Sequence, residues 1–200
     1  MVTGIITLIL AYLLGSFPTA LIIGRLAAGV DIRTIGDGNM GARNIACTIG
    51  LRYGVLVTAI DLLKGASAVL LARAFGLELS WQAATGFCAA LGHDYPIFAG
   101  LRGGQGLAAI VGALWVLLPL ETTIGFIIYL AVLISVRNSD LGASLGLGLL
   151  VLLEFLSHKP AGLILFTVLL ILTIPAKKLL DAPRRAEIAR SQKENHNHAG

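Results

Sequence analysis

Two polar, glycine-rich segments hold most of the residues able to do chemistry in this 200-residue chain. The first reads Gly36-Asp37-Gly38-Asn39-Met40-Gly41-Ala42-Arg43-Asn44; the second reads Gly92-His93-Asp94-Tyr95-Pro96-Ile97-Phe98, then Arg102-Gly103-Gly104-Gln105-Gly106. Glycines accept positive φ, so successive backbone N–H groups can turn into one concavity and hold an anion. The run Gly103 to Gly106 directly precedes an apolar stretch, which adds the free N–H groups of a helix start. Phosphate is the natural ligand, although glycine loops also make plain tight turns. Arg33, Arg43 and Arg102 are candidates for charge-assisted bonds to phosphate oxygens, and each equally suits snorkelling to lipid headgroups. His93, beside Asp94, fits a general base, a phosphate donor or a structural residue. Asn39 and Asn44 fit donation to an oxyanion or bracing of the loop, with bracing favoured for Asn39. Asp61 and Lys64, three apart within an apolar run, share a helical face and read as a paired bridge, with Lys64 otherwise reaching the site.

The elements that must position these groups are membrane helices. The chain is 56% hydrophobic and 13% charged, against roughly 25% charged in a soluble domain, and its mean hydropathy is +0.87. Its 24 glycines suit close helix packing in lipid. Apolar stretches fall near residues 2–28, 53–75, 81–93, 106–119, 121–136, 140–156 and 161–176. A hydrocarbon core of about 30 Å takes about 20 helical residues. The first two stretches meet that length, and several others must tilt, be buried by neighbours or extend into the interface. Ser16 and Pro18 interrupt the first stretch, as a kink or a lining hydroxyl. Glu154 lies near the outer end of the sixth, where it is expected to reach water. The N-terminus has neither a basic region nor a cleavage signal, so residues 2–28 read as a retained span and not a signal peptide. Cys47 and Cys88 read as packing residues. His196 and His198 form the one histidine pair at metal spacing, in what reads as a solvated tail.

The expected fold class is an all-α membrane protein, a seven-helix transmembrane bundle over residues 1–176 with a basic tail at 177–200. With the N-terminus outside, 12 of the 15 basic residues fall on one side. The positive-inside rule makes that side cytoplasmic. The loops at 29–52, 94–105 and 137–140 then face the cytoplasm with the C-terminus. Net charge +4 is accounted for by anchoring to anionic lipid and gives no reason to invoke nucleic acid.

These residues resemble the small integral-membrane acyl-phosphate:glycerol-3-phosphate acyltransferases of bacteria. That family shows a first motif close to Gly-Ser-Gly-Asn-x-Gly-Ala-Thr-Asn after an Asp-x-Arg, here Asp31-Ile32-Arg33. Its second motif is close to Gly-His-x-x-Pro-x-Phe, then Gly-Gly-Lys-Gly. Gly15-Ser16 and Asp61-Leu62-Leu63-Lys64-Gly65 also match, and the resemblance runs from about residue 10 to 145. It implies a seven-helix bundle in the bacterial inner membrane with a site open to the cytoplasm. It implies acyl transfer from acyl phosphate to the 1-hydroxyl of glycerol 3-phosphate, or a related polyol phosphate, giving lysophosphatidic acid for phospholipid synthesis, without metal or cofactor. On this reading His93, Asn44 and Asn39 are the catalytic candidates. Arg33, Gly36, Gly38, Gly41, Arg43, Arg102, Gly103, Gly104, Gln105, Gly106 and Lys64 are the phosphate- and substrate-binding candidates.

The departures from the family pattern are polar. The motif serine is Asp37, the threonine is Arg43 and the second-loop lysine is Gln105. Ser139-Asp140-Leu141-Gly142 stands where Ser-Ser-Leu-Gly is frequent. The C-terminal His-x-x-Asn-Ile-x-Arg-Leu motif is not recognisable in Ala176 to Asp181; only Arg184-Arg185 and Glu187 look comparable. Two compensations suggest themselves: Arg43 replaces the charge lost at Gln105, and Asp37 pairs with Arg33 or Arg43. The competing reading is a non-catalytic or altered-acceptor paralogue that binds phosphorylated lipid or a membrane partner. A small transporter is less apt, since its polar residues would line a path near mid-membrane.

Overall fold

The structure is a computed structural model that describes residues 1–198, with side chains described through Gln192 and at Glu194. All its regular structure is helical. The α-helices are α1 (Val2–Gly15), α2 (Thr19–Ala28), α3 (Ala42–Thr48), α4 (Leu51–Ala74), α5 (Leu79–Asp94), α6 (Leu107–Leu117), α7 (Pro119–Val136), α8 (Ser139–Leu156) and α9 (Ala161–His198). Short 3-10 turns at Ile32–Thr34 and Ile97–Ala99 lie in the two glycine segments. Five helical runs are long and apolar enough to cross a membrane: Val2–Ala28, Leu51–Ala74, Pro119–Val136, Ser139–Leu156 and Ala161–Gln192.

The break expected at Ser16 and Pro18 is real, and it has a consequence for the site. Pro18 has no N–H to donate to Leu14, whose carbonyl accepts from Phe17 N at 3.3 Å instead. The chain restarts as α2, and the Phe17 carbonyl, left outside the helical ladder, accepts from Lys64 Nζ at 2.5 Å. Lys64 also pairs with Asp61 at 2.7 Å, and Asp61 accepts from Thr19 Oγ1 at 3.1 Å. The bridge expected within α4 therefore also pins the kink.

Stretches 81–93 and 106–119 become α5 and α6, of 16 and 11 residues. At 1.5 Å per residue α6 is only about 16 Å long, roughly half a hydrocarbon core. Both lie against neighbouring helices through glycines that leave no room for a side chain. A Cβ on Gly65 of α4 would meet the Ala109 backbone of α6, and one on Gly112 of α6 would meet Leu62. Gly15 of α1 meets the Ala89 backbone of α5 in the same way. Backbone-to-backbone approach of this kind suits lipid, where apolar side chains gain little by leaving the tails.

The α7–α8 hairpin turns at Arg137, in the left-handed region at φ 56. Asn138 then caps α8 by accepting from Leu141 N at 3.0 Å. Glu154, expected to reach water, is 0% exposed and accepts from Thr167 Oγ1 at 2.8 Å. The reason is that α9 packs over this face of α8. Past residue 176 the chain does not leave the bundle: α9 continues through Pro175 and Pro183 to His198.

Candidate functional site

The first loop is built around Asn44, in the opening turn of α3. Its Nδ2 donates to the carbonyls of Ile32, Ile35 and Asn39, each at 3.0 Å, and its Oδ1 accepts from Asp37 N at 3.2 Å. Asn44 is therefore the brace, while Asn39, for which bracing was the favoured reading, is buried with its Oδ1 unpartnered. Gly36, at φ +61, lies directly over the Asn44 carboxamide, where a Cβ would overlap Oδ1. Gly41 is the residue on which α3 starts. Arg33 joins this loop to the second one. It grips Asp31 in two-point fashion, Nε to Oδ1 at 2.9 Å and Nη2 to Oδ2 at 2.6 Å, and Nη1 donates to Ala99 O at 3.0 Å. The hydrogen bonds from Arg33, with its charge and that of Arg25, hold the Asp31 carboxyl below its ordinary range.

The second loop folds back on the end of α5. Gly104 N donates to His93 O at 3.1 Å. A Cβ on Gly103 would strike the His93 carbonyl, and one on Gly104 would strike the His93 ring at Nε2. The opposite nitrogen, Nδ1, is 3.7 Å from Asp61 Oδ1, so His93 fills the space between the Asp61–Lys64 bridge and the glycine loop. Gly106, at φ +68, starts α6 with no side-chain cap, leaving first-turn N–H groups available. Asp94, at the head of the loop, is 1% exposed, and its Oδ1 has no hydrogen-bond partner.

The extension of α9 closes over both loops. It contributes Lys177, Asp181, Ile188 and Gln192, which sequence reasoning missed, beside Arg184 and Arg185, which it had noted only as comparable to the family's C-terminal motif. Lys177, 3% exposed, binds Asp181 at 2.5 Å and sits 4.9 Å from the Tyr95 ring centroid. Arg184 binds the same Asp181 oxygen at 3.3 Å. Arg185 pairs with Asp37 at 2.9 Å, and Gln192 Nε2 donates to Gly36 O at 3.2 Å. The side chain of Ile188 lies against Gly38, which is at φ +68. The signal was present in the sequence: Lys177, Asp181 and Arg184 are spaced four and three apart, as on one helical face continuing the last apolar run.

Two expected compensations are corrected. Asp37 pairs with neither Arg33 nor Arg43: Arg33 is held by Asp31, and Arg43 lies outward at 3.8 Å from Asp140. Arg43 therefore does not stand in for the charge missing at Gln105, which is itself half-buried. Arg102 is exposed. The structure thus gathers Arg33, Gly36, Gly38, Asn39, Gly41 and Asn44 on one loop, and Lys64, His93, Gly103, Gly104 and Gly106 around the other. It leaves Arg43 and Arg102 at the surface. The side chains of His196 and His198 lie outside the described residues.

An open, almost wholly apolar groove of about 400 Å³ runs between Leu10, Leu13, Leu14 and Phe17 on one wall and Ile60 and Phe98 on the other, with Lys64 in its lining.

A family model described as glycerol-3-phosphate acyltransferase matches residues 5–182. Glycerol-3-phosphate acyltransferase 2 of Moorella thermoacetica is 40% identical over 163 residues, covering 82% of this chain and 84% of that protein. The glycerol-3-phosphate acyltransferase of Geotalea daltonii is 39% identical over 170 residues, 85% of this chain and 87% of its own. Among solved structures, the glycerol 3-phosphate form of PlsY (YgiH), an integral membrane glycerol 3-phosphate acyltransferase, matches with a TM-score of 0.82 at 31% identity over 90% of each chain. Its lysophosphatidic acid form matches with a TM-score of 0.79 over the same share.

Proposed function

The chain belongs to the glycerol-3-phosphate acyltransferase family, and from that premise we propose that its joined glycine loops hold an acyl phosphate and glycerol 3-phosphate together for acyl transfer. The protein is a membrane glycerol-3-phosphate acyltransferase forming lysophosphatidic acid. The donor, the residue roles and the sidedness are the parts proposed. The observation that carries the residue roles is the junction of the loops: Arg33 reaches from one to Ala99 of the other, and Gly103 and Gly104 lie directly on His93.

The proposed step has simple atom balance. The oxygen on carbon 1 of glycerol 3-phosphate attacks the acyl carbonyl carbon. The bond from that carbon to the phosphate oxygen breaks, and its electron pair leaves with phosphate. The hydroxyl proton passes by way of His93 to the departing phosphate. Phosphate is already a good leaving group, so orientation and stabilisation of developing charge can do most of the work. Backbone N–H groups of Gly36 and Gly41, and of Gly103, Gln105 and Gly106, are aimed by the braces around them, while those of Gly38 and Gly104 donate to Ile35 O and His93 O and fix the loops. Asn44 and Arg33 act by setting loop shape. The unpartnered Asn39 Oδ1 is the proposed acceptor for a substrate hydroxyl. Arg43 and Arg102 draw anionic substrate to the surface, and the acyl tail lies in the apolar groove that Lys64 borders.

The proposed topology counts α1–α2 as one crossing, adds α5 and α6 to the other four long runs, and reaches seven. Its support is the one-sided distribution of lysine and arginine, which favours an outside N-terminus and cytoplasmic loops; the bacterial inner membrane is proposed from the family resemblance. The direct test of the reaction uses purified protein and a long-chain acyl phosphate. Phosphate release that requires glycerol 3-phosphate and yields lysophosphatidic acid is expected. Release that ignores the acceptor, or no release from folded protein, would overturn the proposal.

A further inference from the structure

We propose that Lys177, assisted by Arg184, supplies the cation for a substrate phosphate bound at the second glycine loop, the charge that Gln105 cannot provide. The proposal rests on the acyltransferase reading above and goes beyond it by assigning the phosphate partner to the α9 extension.

Most cations near the loops are already engaged. Arg33 is held by Asp31, Lys64 by Asp61 and the Phe17 carbonyl, and Arg185 by Asp37. Arg43 lies outward near Asp140, and Arg102, before Gly103, is exposed at the surface. Lys177 and Arg184 differ, because both converge on one carboxylate oxygen, Asp181 Oδ2, at 2.5 and 3.3 Å. Two positive charges thus share one negative charge, and Arg184 Nε is buried without an acceptor. The other carboxyl facing this group, Asp94, is 1% exposed and forms an ion pair with neither cation. Lysine is almost never buried unless it is fully compensated. One of the two positive charges is thus left without a carboxylate of its own, in a cluster whose lysine is 3% exposed and whose arginine is a quarter exposed, and that is a place for an anion.

The position fits phosphate. Lys177 lies over the Tyr95 ring, one residue beyond Asp94. Gly106 packs so closely on Asp94 that an added Cβ would lie 3.0 Å from Oδ1. Gly106 also opens α6 without a side-chain cap, leaving its first N–H groups for a ligand. A cation, a glycine loop and an uncapped helix start beside one another form an oxyanion site. The ligand group is a terminal phosphate, carried by the acyl phosphate as an anhydride and by glycerol 3-phosphate as a monoester.

The test compares wild type with Lys177→Met, Gln105→Lys and the double variant, measuring kcat and KM for acyl phosphate and for glycerol 3-phosphate separately. Lys177→Met is expected to raise KM for one of the two by about tenfold or more, as for loss of a charged hydrogen bond, and the substrate affected identifies the source of the phosphate. Adding Gln105→Lys is expected to recover most of that loss, which a merely structural lysine would not allow. Unchanged KM values in Lys177→Met, or a loss that lysine at 105 does not recover, would overturn the proposal. If Lys177→Met fails to fold, Arg184→Gln decides: a raised KM for one phosphate that Gln105→Lys recovers supports it, and unchanged values refute it. If wild type shows no acyl transfer, the functional reading fails on its own. Thermal stabilisation of wild type by glycerol 3-phosphate or inorganic phosphate, lost in Lys177→Met, then still supports the site, and its persistence in that variant refutes it.

Discussion

With one carboxamide, Asn44 satisfies three carbonyls and an N–H that the first loop cannot pair within its own backbone. Removing it leaves buried acceptors without donors, so Asn44→Ala is expected to destabilise the protein by about 2–4 kcal/mol. Asn44→Asp should do no better, because it turns oxygens toward three carbonyls. Melting in detergent checks this, and a stable Asn44→Asp would refute the bracing role. Arg33 and Asp31 give a pH signature. The Asp31 carboxyl lies below its ordinary 3.8 in the folded protein. A depressed acid stabilises the fold above its unfolded pKa, and that contribution disappears as pH falls through the folded value. The tie to Ala99 should thus hold at pH 5 and open only below about 4, and Asp31→Asn should remove the acid-dependent component of melting there. Residue pairs close in sequence were legible in advance: Asp61 and Lys64 share a face by spacing alone. The Asp37–Arg185 pair was not, since its partners lie 148 residues apart and no local rule selects one distant arginine among several.

At the scale of the element, α9 is both a membrane helix and part of the site. Ending the chain after Ala182 removes Arg184, Arg185, Ile188 and Gln192 while keeping the apolar length that packs on α8. Such a truncation should leave the bundle folded but loosen the first loop, seen as faster proteolysis between residues 34 and 43 and at least a tenfold fall in kcat/KM, for about 1.4 kcal/mol or more of transition-state binding. Full activity would show that the extension only decorates the site. The long apolar runs were legible from composition, and the α1–α2 break from Pro18, because both follow from backbone chemistry within a few residues. That the last helix continues past 176 was harder to read. Two prolines and a dense run of charge suggest an exit from the membrane, whereas the packing of Lys177, Asp181 and Ile188 on distant loops keeps the helix intact.

At the scale of the whole molecule, the proposed sidedness predicts that a fluorescent protein fused after Gly200 matures in the bacterial cytoplasm, while a periplasm-dependent phosphatase fused there stays inactive. The opposite pattern would invert the assignment of both loops. The helix frame itself is keyed by glycines: sliding α6 along α4, or α5 along α1, would drive a side chain into backbone. Such a frame has its register set by steric interlock, independently of the polar groups at its rim. Exchanges at Asp37 or Gln105 should therefore leave the scaffold where it is. An activity change there can be read as altered chemistry instead of collapse, which makes this rim a suitable place to retrain the enzyme for a different phosphorylated acceptor.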